Sequence, residues 1–516
     1  MSDAARGADA VTEPQELTAA GSLPAVWRDH AIREPRRPCL HDPKTGWVSR
    51  GELADASAEV AGRLYAAGLR RGDRVLLCAP SGAGLVAAHA ACLRMGLVVV
   101  PLNAALRRPE VLHVVTDASP RGAILDDPEM RSWVLEAAPG AVVCTAAVDL
   151  PGGTVPSLDD LSGDEPAMLG YTSGTTGAPK GAVLTHANLL AGAEALRRAW
   201  GWSRNDRLVL ALPLFHMHGL GVGLHGTLHA GASAVLQTSF DPETVIDTVR
   251  DHGATLFFGV PTMYHRLARS ERVADLRALR LAVSGSAPLP ADLHRRLESL
   301  TGLRVLERYG MTETVMLVSN PLDGDRRPGS VGFPLPGVQL RLQQPGESPE
   351  SDPEVPDGTP GEIWVRGPNV FSGYWRRPGA GPDARGWFCT GDVGRRDADG
   401  YLYLEGRTGE LIITAGFNVY PREVEEQLAD HPGLAEVAVA GRADEERGEI
   451  VTAFVVPAAG RKAPSVADLR AHLDERLARY KQPRAVVAVE AIPRNALGKV
   501  QRHLLGKVAG EPPPAT

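Results

Sequence analysis

Residues 169–181, LGYTSGTTGAPKG, decide how the rest of the chain is read. Apolar residues lead into the stretch, and a helical segment, THANLLAGAEALRRAW, follows it. Between them sit Thr172, Ser173, Gly174, Thr175, Thr176 and Gly177, with Lys180 at the rim. Glycines let a backbone turn tightly and approach a ligand. Hydroxyls and exposed N–H groups suit phosphate oxygens. The spacing is not that of a GxxxxGK[ST] loop, because no Ser or Thr follows Lys180 and Gly177 lies three residues before it. The density of small, hydroxylic and basic residues favours a polyphosphate loop over a plain surface turn.

Working outward, 516 residues exceed one typical core and imply at least two domains. A hydrophobic fraction of 43% and a charged fraction of 23% are ordinary for a soluble globular chain. A net charge of −7 without a basic block argues against nucleic acid as a partner. Cys39, Cys78, Cys92, Cys144 and Cys389 are scattered without a CxxC pair, which indicates neither a disulfide framework nor a zinc knuckle. That usage fits a reducing cytoplasm. No secretory leader is visible at the start, and no stretch is apolar and long enough for a membrane span. The expectation is a cytoplasmic protein without membrane insertion, as monomer or homodimer, with 1–20 and the final GEPPPAT as disordered tails.

From Trp47 to Asp127 helix and strand patterns alternate: GELADASAEVAGRLYAAGL, RVLLCAP, SGAGLVAAHAACLRMG, LVVVPLN, PEVLHVVTDAS, GAILDD. Alternation of this kind predicts an α/β fold with parallel sheet and helical crossovers. A second α/β region begins near Asn205, and the ends of its strands place three rims together: His216 to Gly219, Ser284 to Ala287, and Tyr309 to Thr314. After Gly329 short glycine-rich alternating segments predict a small barrel or meander. A boundary is expected near Arg407, followed by a compact α+β unit that includes a helix from Val466 to Tyr480.

Several constellations carry chemistry. In YGMTET, Tyr309 offers a ring for stacking, while Thr312 and Glu313 offer oxygens to a phosphate-bound Mg²⁺. Asp392 can accept both hydroxyls of a ribose, or serve only as a turn cap. Arg407 suits ribose or phosphate, and Lys499 sits beside Gly498 near the C-terminus. His216 and His218 flank Met217 at a spacing poor for a metal pair on a helix, so a pocket for carboxylate or phosphate is favoured.

The stretches YTSGTTGAPKG, SGSAPL, YGMTET, TGD, EGR and PRNALGKVQR resemble the acyl- and aryl-CoA synthetase, luciferase and peptide-synthetase adenylation superfamily, in the family order. LPLFHMHGL, FFGVPTMYHR, GPNVFSGYW and AGFNVYPREVE are most similar to malonyl-CoA synthetases. The resemblance implies a large ATP- and acid-binding domain over 21–407, a hinge at 408–409 and a mobile C-terminal domain over 410–516. It implies ATP, Mg²⁺ and coenzyme A as co-reactants and a small carboxylic acid, malonate or methylmalonate, as substrate. The acid attacks the α-phosphate, and the thiol of coenzyme A then displaces AMP.

By that resemblance Lys499, Glu313, Thr176 and His216 are catalytic, and Thr176 and Glu313 lie nearest the metal. Residues 172–177, Lys180, Glu307, Tyr309, Gly310, Met311, Thr312, Asp392, Arg407 and Gly416 line nucleotide or pantetheine. His216, Arg266, Ser286, Ala287, Arg295 and Met311 line the acid. An arginine is the natural clamp for malonate's second carboxylate, since its fork matches a carboxylate bidentately; Arg266 and Arg295 are the candidates. Gly409 stands where the family more often has Asp or Lys, and Glu410 where it has Asp, so the hinge has no side chain to latch it. Rival expectations are a ligase for another short acid, an enzyme loading a carrier protein, and a silent nucleotide-binding interaction protein.

Overall fold

A computed structural model describes residues 14–172, 179–350, 353–414, 417–444, 447–495 and 498–508. The chain divides into two compact units. Unit one comprises Met1–Gln339 and Val365–Phe388; unit two comprises Leu340–Trp364 and Cys389–Thr516. The expected 407/408 boundary lies within unit two. The strands Phe388–Arg396 and Leu402–Arg407 pair antiparallel, and the Thr408 hydroxyl donates to Glu362 Oε1 at 3.0 Å. Residues on both sides of the expected hinge are thereby tied into unit two.

Unit one contains a six-stranded sheet ordered Val142–Cys144, Gly122–Leu125, Arg74–Cys78, Val98–Pro101, Pro166–Thr172 and Lys180–Thr185. Its pairs are parallel except the last, which is antiparallel. The strands are near-continuous apolar runs because helices cover both faces. Helix Arg50–Ala66 begins at a capping box formed by Ser49 and Glu52. The predicted alternation up to Asp127 is thus the observed one.

In the second sheet of unit one, parallel strands run in the order Leu306–Tyr309, Leu281–Ser284, Leu256–Gly259, Arg207–Leu210 and Ser233–Leu236. Phe257, Tyr264, Leu267, Val249 and Leu297 form the core beneath them. The Tyr264 hydroxyl is satisfied by Val283 O at 2.9 Å, so the ring can be buried without an orphaned polar atom. Residues 218–224, HGLGVGL, form a π-helix. Side chains at Gly219, Gly221 and Gly223 would collide with Pro213, Met217 and Leu210. Glycine keeps this wide turn close against the sheet, and such turns gather at functional sites.

Unit two begins with short strands in the order Gln339–Gln343, Gly361–Arg366, Phe388–Arg396 and Leu402–Arg407. Among the described residues they form an open series, and the expected small barrel is not identified. Its C-terminal sheet is ordered Phe417–Val419, Ile412–Thr414, Gly448–Pro457, Leu434–Asp444, with Ala485–Ala488 parallel to Gly448–Pro457. Helix Val466–Leu473 is shorter than expected. The buried Gln482 amide takes Leu477 O at 3.0 Å, and Arg470 takes Pro483 O at 2.9 Å. Both bonds turn the chain back to its sheet before a further helical turn forms.

Candidate active site

At the phosphate-loop hairpin, Thr172 and Lys180 are register partners across the antiparallel pair. The loop joins strand to strand, and helix His186–Ala199 starts only beyond its N-cap Thr185. Ser173, Gly174, Thr175, Thr176 and Gly177 lie outside the described residues. His113 anchors the exit of the loop, 2.8 Å from Pro179 O. The Lys180 ammonium stands 5.5 Å over the Tyr374 ring, within cation–π range.

The second wall grows from strand Leu306–Tyr309. Gly310 follows it because a side chain there would meet the backbone of Val315 and Met316. Thr312–Thr314 then forms a 3-10 turn, and Gly170 leaves room for the Thr312 methyl. Glu313 is 4% exposed, and its Oε1 accepts from the Tyr374 hydroxyl at 2.8 Å. Val315 has φ +57° and ψ −69°, with Met316 N donating to Thr314 O at 2.6 Å. That is the strained γ-turn, rare for any residue and more so for a β-branched one. The Asn369 amide locks it by donating to Thr314 O and Met316 O at 2.9 and 2.7 Å.

Along the same strand side chains alternate between faces. Glu307 accepts from Leu289 N and Gly329 N, both at 2.9 Å. Its carboxylate holds the SGSAPL turn and the Gly329 turn to the strand. Tyr309 is buried beside it, while Gly310 and Met311 are half-buried.

Arg308 is 6% exposed, and its Nε and Nη2 have no hydrogen-bond partner among the described residues. A side chain at Gly285 would run into the guanidinium, so glycine is what admits it. Burial alone pushes Arg308 down to about 9. A buried cation without a matched anion is costly, and an arriving anion removes that cost.

The rims from the other strands face Arg308. Burial, then the Arg308 charge, holds the His216 imidazole down at about 4. His218 is pushed well below its usual value by burial, Arg308 and His216. His218 N donates to His216 Nδ1 at 3.3 Å, which puts the His216 proton on Nε2. Ser286, at φ +70°, brings its hydroxyl to 3.3 Å from His218 Nδ1. The Ser284 hydroxyl and His218 Nε2 are buried without partners among the described residues. Ala287 is half-buried at the same rim.

Arg266 and Arg295, the expected clamps, are exposed on their helices, and Arg266 lies 5.0 Å over the Phe240 ring. Helical spacing alone did not say which arginine turns inward. Arg308 does, in the strand stretch VLERYG, where it stands beside a second charge, Glu307.

In unit two Asp392 and Arg407 are register partners across an antiparallel pair and form an ion pair at 2.9 Å. Lys499 ends a hairpin in which its N–H donates to Asn495 Oδ1 at 3.0 Å and Asn495 N donates to Lys499 O at 2.9 Å. Burial, then the nearby Arg407, lowers the Lys499 ammonium against the pull of Asp392 and Glu410. Gly416 lies outside the described residues.

The AMP-binding enzyme family matches residues 27–375, and the AMP-binding enzyme C-terminal domain matches 423–499. The chain belongs to the AMP-binding enzyme family. It is an AMP-forming acid–thiol ligase. A feruloyl-CoA synthase from Amycolatopsis sp. is 39% identical over 465 residues, 88% of this chain and 92% of the relative. A malonate–CoA ligase from Arabidopsis thaliana is 33% identical over 485 residues, 85% of this chain and 78% of the relative. The ATP-bound MatB structure from Rhodopseudomonas palustris aligns with a TM-score of 0.88 at 39% identity, covering 94% of this chain and 98% of that one. No helix among the described residues is long and apolar enough to cross a membrane.

Proposed function

We propose that this ligase joins malonate to coenzyme A, consuming ATP and releasing AMP and pyrophosphate. The observation that carries the substrate choice is Arg308, a buried guanidinium with unpartnered N–H groups beside two neutral histidines. An acid with a second carboxylate brings the charge that Arg308 lacks. An aromatic acid such as ferulate brings none and leaves the cation buried and unmatched. Methylmalonate presents the same pair of carboxylates.

One carboxylate of malonate attacks the α-phosphorus, the bond to the β-phosphate breaks, and pyrophosphate leaves. The thiol sulfur, its proton lost, then attacks the acyl carbon and AMP departs. Thr172, Lys180 and the loop 173–178, Thr176 included, hold the β- and γ-phosphates. Lys499 offsets charge on the α-phosphate oxygens. Asp392 and Arg407 hold the ribose, with Tyr309 beside the base. Mg²⁺ commonly takes one or two carboxylates together with substrate phosphates, and the buried Glu313 fits as one such ligand. The cation's contribution is to draw charge from the phosphate oxygens. The turn Thr408–Glu410 is the proposed pivot between the two half-reactions, with Gly416 facing pantetheine.

The test is a panel of malonate, methylmalonate, succinate, propionate and ferulate with ATP, Mg²⁺ and coenzyme A, read as AMP and acyl-CoA. Malonate should be preferred, and Arg308→Leu should cut its kcat/KM by about a hundredfold or more while sparing propionate. Equal loss on both acids, or preference for ferulate, would sink the substrate choice.

A further inference from the structure

Residues 369–375, NVFSGYW, bind to both walls of the phosphate side. Toward the turn at Glu313, Asn369 clamps Thr314 O and Met316 O, and Phe371 N donates to Glu313 O at 2.8 Å. Toward the strand leaving the phosphate loop, Ser372 N donates to Val183 O, Val183 N to Gly373 O, and Trp375 N to Gly181 O, at 3.0, 3.0 and 2.8 Å. The strap crosses between Phe371 and Ser372, and Tyr374 lies on its strand side with its side chain reaching back to the turn. Its hydroxyl holds Glu313 Oε1 at 2.8 Å, and its ring underlies the Lys180 ammonium.

We propose that Tyr374 is a positioning residue that orients the Glu313 carboxylate for the nucleotide-bound cation and seats Lys180 beside it. The proposal rests on the reading of Glu313 given above. A carboxylate on a short turn can rotate about its terminal torsion, which has broad minima. A phenol fixed to one oxygen removes that freedom, and a hydrogen bond to a charged acceptor is among the stronger ones. The ring cannot turn to release it, because Phe371 packs edge-on at 4.9 Å and the Tyr374 backbone bridges to Ala182. Lysine has a long, flexible stem, so an aromatic face under its head narrows where the charge is found. One side chain thereby fixes a negative and a positive group on the two walls that enclose a polyphosphate.

The test uses the full chain, ATP and Mn²⁺ in place of Mg²⁺, with free Mn²⁺ read by electron paramagnetic resonance. Glu313→Gln should weaken ATP-dependent Mn²⁺ binding. Tyr374→Phe keeps ring, packing and the Lys180 seat, and should weaken that binding by about tenfold, with a small loss of melting temperature for the missing bond and malonate KM unchanged. Added to Glu313→Gln, Tyr374→Phe should have no further effect. Tyr374→Leu should also weaken metal-free ATP binding severalfold beyond the Phe variant. If Glu313→Gln lowers Mn²⁺ affinity and Tyr374→Phe does not, the positioning role is wrong and the Glu313 reading stands. If neither moves it, the Glu313 reading itself fails. If Leu and Phe bind metal-free ATP alike, Lys180 is not seated by this ring.

Discussion

Two arginines, Arg308 in unit one and Arg502 in unit two, have opposite surroundings. In unit two, Arg502 pairs with both oxygens of Glu425 at 2.7 and 2.8 Å, with Glu410 at 3.2 Å and with Val439 O at 3.1 Å. In unit one, Arg308 has Nε and Nη2 without hydrogen-bond partners among the described residues. Elsewhere in unit one, histidines are buried with their pKa values pushed down by burial. His89 and His225 share one 2.8 Å contact between their Nε2 atoms, and His186 has no partner for either ring nitrogen among the described residues. A satisfied buried charge is architecture; an unsatisfied one marks a place where a ligand supplies the missing half.

Acid should separate the units most strongly. Burial holds His89 and His186 at about 4, below the usual 6.5. Between those values the unfolded chain takes up protons that the folded chain refuses. Stability of unit one therefore rises with pH across that window and is lost on acidification, by about 3 kcal/mol for each such histidine. In unit two, by contrast, His472 is a half-buried imidazole with a carboxylate partner, Asp430, at 2.9 Å. Hydrogen exchange along an acid titration should open helices Ala83–Arg94 and His186–Ala199 before Pro421–Leu428. Earlier opening of the last would break the contrast.

Removing the two arginines sharpens it. Arg502→Leu strands the half-buried Glu425 and should destabilise unit two by about 2–3 kcal/mol, read by urea unfolding. Arg308→Leu removes a charge that had no anion to lose. Its unfolding free energy should stay level or rise, while malonate turnover falls. If the Arg308 variant unfolds as easily as the Arg502 variant, Arg308 is a structural cation.

The sequence carried the parallel sheets because helix and strand periods alternate cleanly from Trp47 to Asp127, and because crossover connections leave few ways to pack them. Glu313 stands out in the sequence for a different reason: YGMTET concentrates oxygen donors after a strand. Arg308 was not, since a strand charge reads equally well as a surface residue until Gly285 is seen to give it room. Tyr374 and Asn369 are about sixty residues along the chain from the turn they hold, and no local pattern reports such a pairing. The Thr408–Glu362 bond joins segments that lie 46 residues apart, and no local pattern reports it either.

The smallest expected effect concerns Ser286, which holds φ +70° at the rim of the proposed acid pocket. A left-handed backbone costs a non-glycine residue about 1 kcal/mol, and its hydroxyl bond to His218 is long, at 3.3 Å. Ser286→Gly removes the strain and the hydroxyl together; Ser286→Ala removes the hydroxyl and keeps the strain. The Gly variant should therefore be the more stable of the two by about 0.5–1 kcal/mol, after its greater unfolded-state entropy takes back part of the relief. Because both variants lack the hydroxyl, any equal change in malonate KM belongs to the bond, and any difference belongs to the backbone. A tighter KM in the Ala variant than in the Gly variant means that the strained turn is what aims the rim at Arg308; equal values would confine the strain to folding.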